Sequence, residues 1–280
     1  MKRRNPINFT FIFGLISVAA VAGYTGLHAS SNPLIYLNFI GVVIVFGGLS
    51  TVTFMILPLE ELRQLSRTLL WLFRNNKWER VKTVTDLYQF SSLQQQDLLN
   101  FSRAGQEAGN TFLREAMDLL SLGLKNDDLN KIFDLKMEAK ASLSTTQAGF
   151  LLTLAKLGPG FGLVGTLVGL VSLLYQMGQG MGLEQIGPAM GIALCATLYG
   201  VATANLMFIP LAEAIVHKGE REELHMKLIL CGAQMLRDRR HPVHLREALK
   251  AYLTPAEVRV LNQYLSHDAG PAAQKERGIA

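Results

Sequence analysis

Two threonines, Thr166 and Thr197, lie in charge-free stretches of the C-terminal half of the chain. No Asp, Glu, Lys or Arg occurs from Leu157 to Leu183, and none occurs from Gln185 to Ala212. If both stretches cross a membrane as antiparallel helices, the two hydroxyls fall at a similar depth, and one interpretation is a shared polar site. The alternative is that each hydroxyl bonds only the carbonyl oxygen four residues earlier in its own helix.

The absence of acids from these stretches limits what the chain can do alone. Proton and cation pathways through a membrane normally use an embedded carboxylate. An ion pathway here therefore needs an acid from another chain, and this chain supplies part of the wall. The sequence contains no GxSxG, P-loop lysine, HExxH, CxxC pair or His/Cys cluster with metal spacing. It therefore offers no residues for an enzyme, a metal site or a bound cofactor.

Four apolar segments are long enough to hold such a site in a membrane, since a spanning helix needs about 20 apolar residues. We predict spans at about residues 9–28, 34–56, 158–177 and 186–211. The basic start of the chain also suits a cleaved signal peptide, but the second span follows so closely that we expect a retained anchor. The predicted fold class is an all-α integral membrane protein with four transmembrane helices.

These spans divide the chain into four regions. Residues 1–57 and 157–216 form two membrane hairpins, residues 58–156 form a helical loop, and residues 217–280 form a helical tail. We expect about the last fifteen residues to be disordered, because they are small and polar. In the loop we expect a helix that begins near Asn126 and continues into the third span, preceded by helices over Leu59–Arg74, Lys77–Val84, Leu93–Ala108 and Thr111–Leu122. In the tail we expect a break at residues 240–242.

The basic residues indicate the orientation in the membrane. Of the 27 Lys and Arg, three lie at residues 2–4, thirteen between Arg63 and Lys156, and eleven from Lys218 onward. The positive-inside rule then makes both termini and the large loop cytoplasmic. This distribution accounts for the net charge of +5 without a nucleic-acid partner. No nucleic-acid-binding motif of basic and aromatic residues is present.

Small residues recur along the third predicted span, which begins Gly-Pro-Gly-Phe-Gly. Paired as GxxxG, such glycines let a second helix backbone approach closely. One interpretation is packing within this chain alone. Because we read the glycines as lying on more than one face, we expect contacts both within and between subunits. The set is Gly158, Gly162, Gly165 and Gly169.

Two motifs on the last two spans are specific: GPGFGLVGTLVGL at residues 158–170 and GPAMGIALCATLYG at residues 187–200. Together they closely resemble the MotA/PomA family of flagellar stator subunits, within the wider group that includes TolQ and ExbB. Four spans with a short first hairpin are similar to MotA/PomA, whereas TolQ and ExbB have three spans.

The resemblance implies a homopentameric ring in the bacterial inner membrane, around two copies of a MotB/PomB-like single-span partner. The partner's membrane aspartate would bind the ion opposite Thr166 and Thr197, and Pro159 and Pro210 would couple ion passage to a conformational step. Ion flow would turn the ring, and the cytoplasmic loop would push on the rotor protein FliG. Threonine at both positions is similar to the sodium-type members, so we favour Na⁺ over H⁺ as the transported cation.

The loop departs from the family pattern where the rotor contact is expected. The family has an Arg-Glu-Gly stretch followed by Leu-Glu, but this chain has a different order of charges over residues 103–115. Aligned on Gly109 and Leu113, Arg114 takes the place of the expected acid. The candidates for rotor contact are Arg103, Glu107, Arg114 and Glu115, and the alternative for all four is a solvated helix face.

Two other functions stay open at this point. One is an energising subunit of the ExbB/TolQ kind, which drives an envelope process without a rotor. The other is a passive membrane scaffold whose small-residue helices only oligomerise.

Overall fold

A computed structural model describes residues 36–72, 78–94, 109–180 and 183–268, together with seven positions between residues 13 and 24. Every regular element within these residues is helical, which confirms the all-α prediction for them. A π-helical turn, Val43–Gly47, lies within the first helix, and another, Ala204–Phe208, joins α6 to α7. The helices are α1 (Phe39–Ile56), α2 (Leu59–Leu72), α3 (Glu79–Gln94), α4 (Thr111–Ser121), α5 (Asn126–Gly178), α6 (Leu183–Thr203), α7 (Ile209–Arg237), α8 (Pro242–Lys250) and α9 (Pro255–Asp268).

Among the described residues, three helical stretches are long and apolar enough to cross a membrane: α1, α5, and the continuous helix over Ile186–Arg237. They correspond to the second, third and fourth predicted spans. The predicted first span, at residues 9–28, lies largely outside the described residues, and its seven described positions are helical. Helix α1 begins at Phe39 because Asn38 caps it, with Oδ1 accepting a 3.0 Å hydrogen bond from the Gly41 N–H.

Helix α5 is continuous over 53 residues, which confirms the prediction that the last loop helix runs on into the third span. Asp127 and Asp128 lie in its first turn, where carboxylates interact favourably with the positive end of the helix dipole. Pro159 is accommodated inside the helix. After α5 ends, Gly180 adopts a φ of 71°, a left-handed conformation that favours glycine.

The chain forms two compact units. The first comprises Met1–Asn75 and Ser142–Lys218, and the second comprises Asn76–Ala141 and Gly219–Ala280. Helices α5 and α7 contribute residues to both units. The core of the first unit includes Val45, Leu49, Leu65, Leu72, Leu151, Leu154, Ala196, Phe208 and Ile215. The core of the second unit includes Val84, Leu87, Leu113, Phe133, Leu228, Leu245 and Leu261.

The second unit also contains a buried polar cluster. His225 Nε2 lies 2.9 Å from the hydroxyl oxygen of Thr83. Nearby, Arg80 forms a 3.1 Å ion pair with Glu257, whose side chain is only 8% exposed. Burial lowers the pKa of His225 below its usual value; Glu79 and Glu257 act in the opposite direction, and Arg80 and a lysine of α5 lower it further.

Helix α3 is longer than predicted, because it does not end at Val84 but continues to Gln94. Threonines in this segment have a low helix propensity. However, Thr83 and Thr85 each donate a 3.0 Å hydrogen bond to the carbonyl oxygen four residues earlier. The valine and leucine side chains on the same helix are buried in the core, and this burial outweighs the propensity.

The remaining loop and tail predictions have mixed outcomes. The predicted helix over Leu93–Ala108 falls mostly outside the described residues. The break at residues 240–242 is confirmed, since α8 begins at Pro242. A second break, between α8 and α9, was not predicted. There Thr254 donates its N–H and hydroxyl to the Glu257 carboxylate, which starts the last helix.

Candidate functional site

Helices α5 and α6 come close together along a face of small residues. A Cβ atom placed on Gly200 would lie 2.3 Å from the carbonyl oxygen of Gly158. A Cβ atom placed on Gly165 would lie 2.3 Å from the Cβ of Ala196. Both distances are far below van der Waals contact. Glycine is therefore needed for the two backbones to approach as closely as they do.

The four glycines predicted for helix packing all lie on this face. A Cβ on Gly162 would lie 3.0 Å from the Cα of Thr197, and a Cβ on Gly169 would lie 2.8 Å from the Cβ of Ala193. Their spacings of four, three and four residues return to one side of a helix. The expectation that these glycines occupy more than one face is wrong for this set, which is Gly158, Gly162, Gly165 and Gly169.

The hydroxyls of Thr166 and Thr197 meet between the two helices, with their Oγ1 atoms 2.5 Å apart. Thr166 Oγ1 lies 3.1 Å from the carbonyl oxygen of Gly162 in its own helix and 3.2 Å from that of Ala193 in the other. Thr197 Oγ1 lies 3.3 Å from each of the same two carbonyl oxygens. The local bond and the shared polar site, which the sequence left as alternatives, therefore occur together.

These four oxygens, two from hydroxyls and two from carbonyls, form what we call the oxygen cluster. The hydroxyls bring only two hydrogens, so the cluster has more acceptor lone pairs than donors. Neutral oxygens of this kind can replace hydration water around a small cation. No carboxylate belongs to the cluster, and no group of three His, Cys, Asp or Glu within the described residues could hold a metal ion. The oxygen cluster therefore presents neutral oxygen atoms and no negative charge.

The oxygen cluster lies at an outer surface of the chain, since Thr197 is exposed and Thr166 is half-buried. One turn away on the same helices, Leu163, Leu170 and Leu194 are 60%, 46% and 66% exposed. Large exposed apolar surfaces mark sites of contact with a membrane or another protein. A polar centre on such a surface favours contact with a helix that carries a polar group of its own.

The prolines predicted to couple ion passage to a conformational step lie near one irregular turn. Pro159 follows Gly158, where an added Cβ would lie 3.4 Å from the Cβ of Ala204, the first residue of a π-helical turn. Pro210 is the second residue of α7, directly after the same turn. A proline ring clashes with the carbonyl four residues earlier, here that of Leu206, and the wider π-helical turn relieves this clash. The coupling role of both prolines remains a prediction.

The predicted rotor-contact charges belong to another part of the chain. Arg103 and Glu107 lie outside the described residues. Arg114 is exposed on α4. Its neighbour Glu115 forms an ion pair with Lys136 of α5, so this acid has a basic partner within its own subunit.

Tyr199, which sequence reasoning did not identify, attaches the start of α1 to α6. Its hydroxyl donates to the carbonyl oxygen of Tyr36 and accepts a 2.8 Å hydrogen bond from the Asn38 N–H. A Cβ on Gly41 would lie 3.4 Å from the Tyr199 ring, and one on Gly48 would lie 2.4 Å from an aromatic ring of α5. Two glycines within one predicted span were the signal that could have indicated close helix packing here.

Comparison with known proteins shows which family this chain is similar to. Residues 104–228, which include the oxygen cluster and both packed helices, match the model of the MotA/TolQ/ExbB proton channel family. PomA of Vibrio alginolyticus, a chemotaxis protein, is 33% identical over 147 residues, which cover 52% of this chain and 57% of the Vibrio protein. Motility protein A of Treponema phagedenis is 25% identical over 265 residues, covering 93% and 98% of the two chains.

Two solved structures have a similar fold. The C. jejuni MotAB structure matches with a TM-score of 0.79 at 18% identity, covering 89% of this chain and 97% of that chain. The flagellar MotAB stator complex of Bacillus subtilis matches with a TM-score of 0.77 at 20% identity, with the same two coverages. At these identities the similarity shows the fold alone.

Proposed function

We propose that this chain is a flagellar motor stator subunit, which forms a cation channel with a MotB/PomB-like partner and couples ion flow to torque on the rotor. The observation that carries the proposal is the oxygen cluster of Thr166 and Thr197 on an exposed apolar face. The proposal assigns ion conduction to the complex and no enzymatic reaction to this chain. The transported cation is cargo, and no resident cofactor is required.

The oxygen cluster contains no carboxylate, and this indicates the chemistry of the partner. Neither stretch that carries the threonines contains an acid, from Leu157 to Leu183 or from Gln185 to Ala212. Ion pathways in membranes normally depend on an embedded carboxylate. A single-span partner whose aspartate faces the cluster would supply that charge, and its apolar side chains would cover the exposed leucines. The similar fold of the C. jejuni MotAB structure and the B. subtilis MotAB stator complex supports such a pair.

The assembly we propose has this chain in the bacterial inner membrane with four spans and both termini cytoplasmic. Three candidate spans among the described residues and the one-sided distribution of Lys and Arg support this topology. Five copies would surround two partner helices, and residues 58–156 would reach the rotor protein FliG. Residues 1–57 and 157–216 would then form the two membrane hairpins, residues 58–156 the loop and residues 217–280 the tail.

The ion we propose is sodium, with the proton as the alternative. Two hydroxyl and two carbonyl oxygens can solvate a sodium ion as it loses water, whereas a proton requires no such set of ligands. The test expresses the chain with its partner in cells that lack other stators and measures motor torque while potassium replaces external sodium. We expect torque to fall as sodium is removed at fixed pH and membrane potential. Undiminished torque would contradict sodium, and the absence of torque from an assembled complex would contradict the stator function.

One substitution separates the stator from a passive scaffold. Thr197→Val keeps the shape of the side chain and removes the hydroxyl, so it should abolish torque and leave the oligomer intact. Thr153→Val is the matched control, because the Thr153 hydroxyl donates only to the Gly149 carbonyl in its own helix, at 3.0 Å. A scaffold would tolerate both changes. An ExbB/TolQ-like subunit would be recognised by a partner with a different periplasmic domain and by the absence of motility effects.

A further inference from the structure

Helix α4 presents different side chains to different surroundings in the second unit. Leu113 and Met117 are buried in the core, with exposures of 0% and 4%. Arg114 and Asp118, four residues apart, are exposed. Glu115 belongs to neither group, because its side chain is 40% exposed and pairs with a lysine of α5. The two neighbouring charges Arg114 and Glu115 therefore have different surroundings.

Two lysines of α5, one helical turn apart, hold this flank of α4. Lys136 forms the ion pair with Glu115. Lys140 Nζ lies 4.7 Å from the centroid of the Phe112 ring and 2.7 Å from Glu222 Oε2 of α7. Phe112 and Glu115 are three residues apart on α4, and the two lysines are four apart on α5, so each pair lies on one helix face. The two contacts therefore act side by side between the same helices.

The other contacts of α4 restrain different motions. Its N-terminus is held by Asn110, whose side-chain oxygen accepts from the N–H groups of the second and third helical residues and whose Nδ2 donates a 2.8 Å hydrogen bond to Glu79. The apolar face resists separation from the core, but hydrophobic contact is non-directional and opposes sliding less. A charge-assisted hydrogen bond has a preferred direction. The Lys136–Glu115 pair therefore opposes sliding and rotation of α4 along α5.

We propose that Glu115 is a positioning residue that holds α4 against α5 through Lys136, so that Arg114 and Asp118 keep their orientation toward the rotor. This rests on the proposed stator function and divides the charges that the sequence grouped together as rotor contacts. The side chains of the pair are 40% and 38% exposed, and such pairs add little to stability. Loss of the pair should leave a folded subunit that transmits force less well.

The test exchanges the two charges. In cells without other stators, the chain and its membrane partner are expressed, and torque per stator unit is read from the speed steps of bead-loaded motors. We expect Glu115→Lys and Lys136→Glu each to lower the torque per unit to less than about half, and the double exchange to restore most of it. Restoration requires the two side chains to act on each other. Arg114→Glu is the matched control at the neighbouring position, and adding Lys136→Glu should not restore its torque per unit.

Fluorescent counting of stator units per motor distinguishes weaker torque from weaker recruitment. A double exchange as defective as Glu115→Lys alone would overturn the proposal, and so would full torque per unit in both single variants. Hydrogen exchange on the purified complex gives a readout that needs no motor. Exchange over residues 111–121 should be faster in Glu115→Lys and return toward the wild-type rate in the double exchange. If the wild type gives no torque, the proposed stator function is wrong. Unaltered hydrogen exchange over residues 111–121 in Glu115→Lys would separately overturn the positioning role.

Discussion

The Oγ1 atoms of Thr166 and Thr197 lie 2.5 Å apart although the two residues belong to antiparallel helices and are 31 positions apart in sequence. Both hydroxyls contact the same two carbonyl oxygens, of Gly162 and Ala193. The two side chains therefore belong to one site rather than to two independent helix contacts. This relationship has a direct consequence for double substitutions.

The double variant Thr166→Val/Thr197→Val should lose no more torque than the more impaired of the two single variants. Either change removes a hydroxyl and disrupts the same oxygen cluster, so the effects should not add. We expect each single variant to lose at least about 90% of torque, as for groups that act as a unit. Torque per stator unit measures this. Losses that multiply in the double variant would contradict a single site.

Gly200→Ala should destabilise the packing of α5 against α6. The new Cβ would lie 2.3 Å from the Gly158 carbonyl oxygen, which is backbone and cannot move aside. Overpacking of this kind costs about 1–3 kcal/mol. The thermal stability of the detergent-solubilised complex measures the effect. Gly149→Ala is the control: a Cβ added there would have no neighbour within 4 Å, so the higher helix propensity of alanine should stabilise by up to about 1 kcal/mol.

Tyr199→Phe should loosen the start of α1. The change removes the donor to the Tyr36 carbonyl and the acceptor for the Asn38 N–H, at a cost of about 1–3 kcal/mol. Hydrogen exchange should therefore become faster over the first turn of α1. Tyr175→Phe serves as the control, because Tyr175 is 67% exposed and the change should leave exchange in α1 unaltered. Equal exchange in wild type and Tyr199→Phe would show that the hydroxyl does not hold this turn.

His225 should make the protein less stable in acid. Burial lowers the pKa of the folded imidazole below the value of 6.5 that applies to the unfolded chain. The titration of His225 therefore does not reduce the free energy of unfolding above about pH 6.5. This free energy falls as the pH drops toward the folded pKa, because only the unfolded state takes up the proton. The loss is at most about 1.4 kcal/mol per pH unit. Thermal unfolding between about pH 7.5 and 5.5 measures it.

His225→Gln should flatten that pH dependence, since glutamine keeps a polar group near Thr83 and does not titrate. His244→Gln is the matched control, because His244 is exposed and its removal should leave the curve unchanged. A stability curve with the same slope in His225→Gln and wild type would assign the acid sensitivity to other groups.

The sequence predicts those features that depend on local pattern. Charge-free stretches located the second, third and fourth spans, and acids after Asn126 indicated where α5 begins. The depth of Thr166 and Thr197 followed from counting residues along antiparallel spans, and the structure brings the two hydroxyls together. The conducting role of the pair remains a prediction.

Features that depend on distant partners were not predicted. The Asn38 N–H at the start of α1 is bonded by a tyrosine 161 positions away, and no local pattern encodes that contact. Glu115 pairs with a lysine 21 positions later, on a different helix. The length of α3 depends on burial against helices from the C-terminal tail. Neither π-helical turn has a sequence signature that we recognised.

The small-residue face between α5 and α6 also limits how this part of the protein can move. Gly158 and Gly200 have no side chains, and Ala193 and Ala196 have only methyl groups. A contact made of such residues has no rotamers to exchange. These four positions therefore cannot respond to a force by exchanging rotamers. We expect a displacement of one of these helices to carry the other with it as one rigid body.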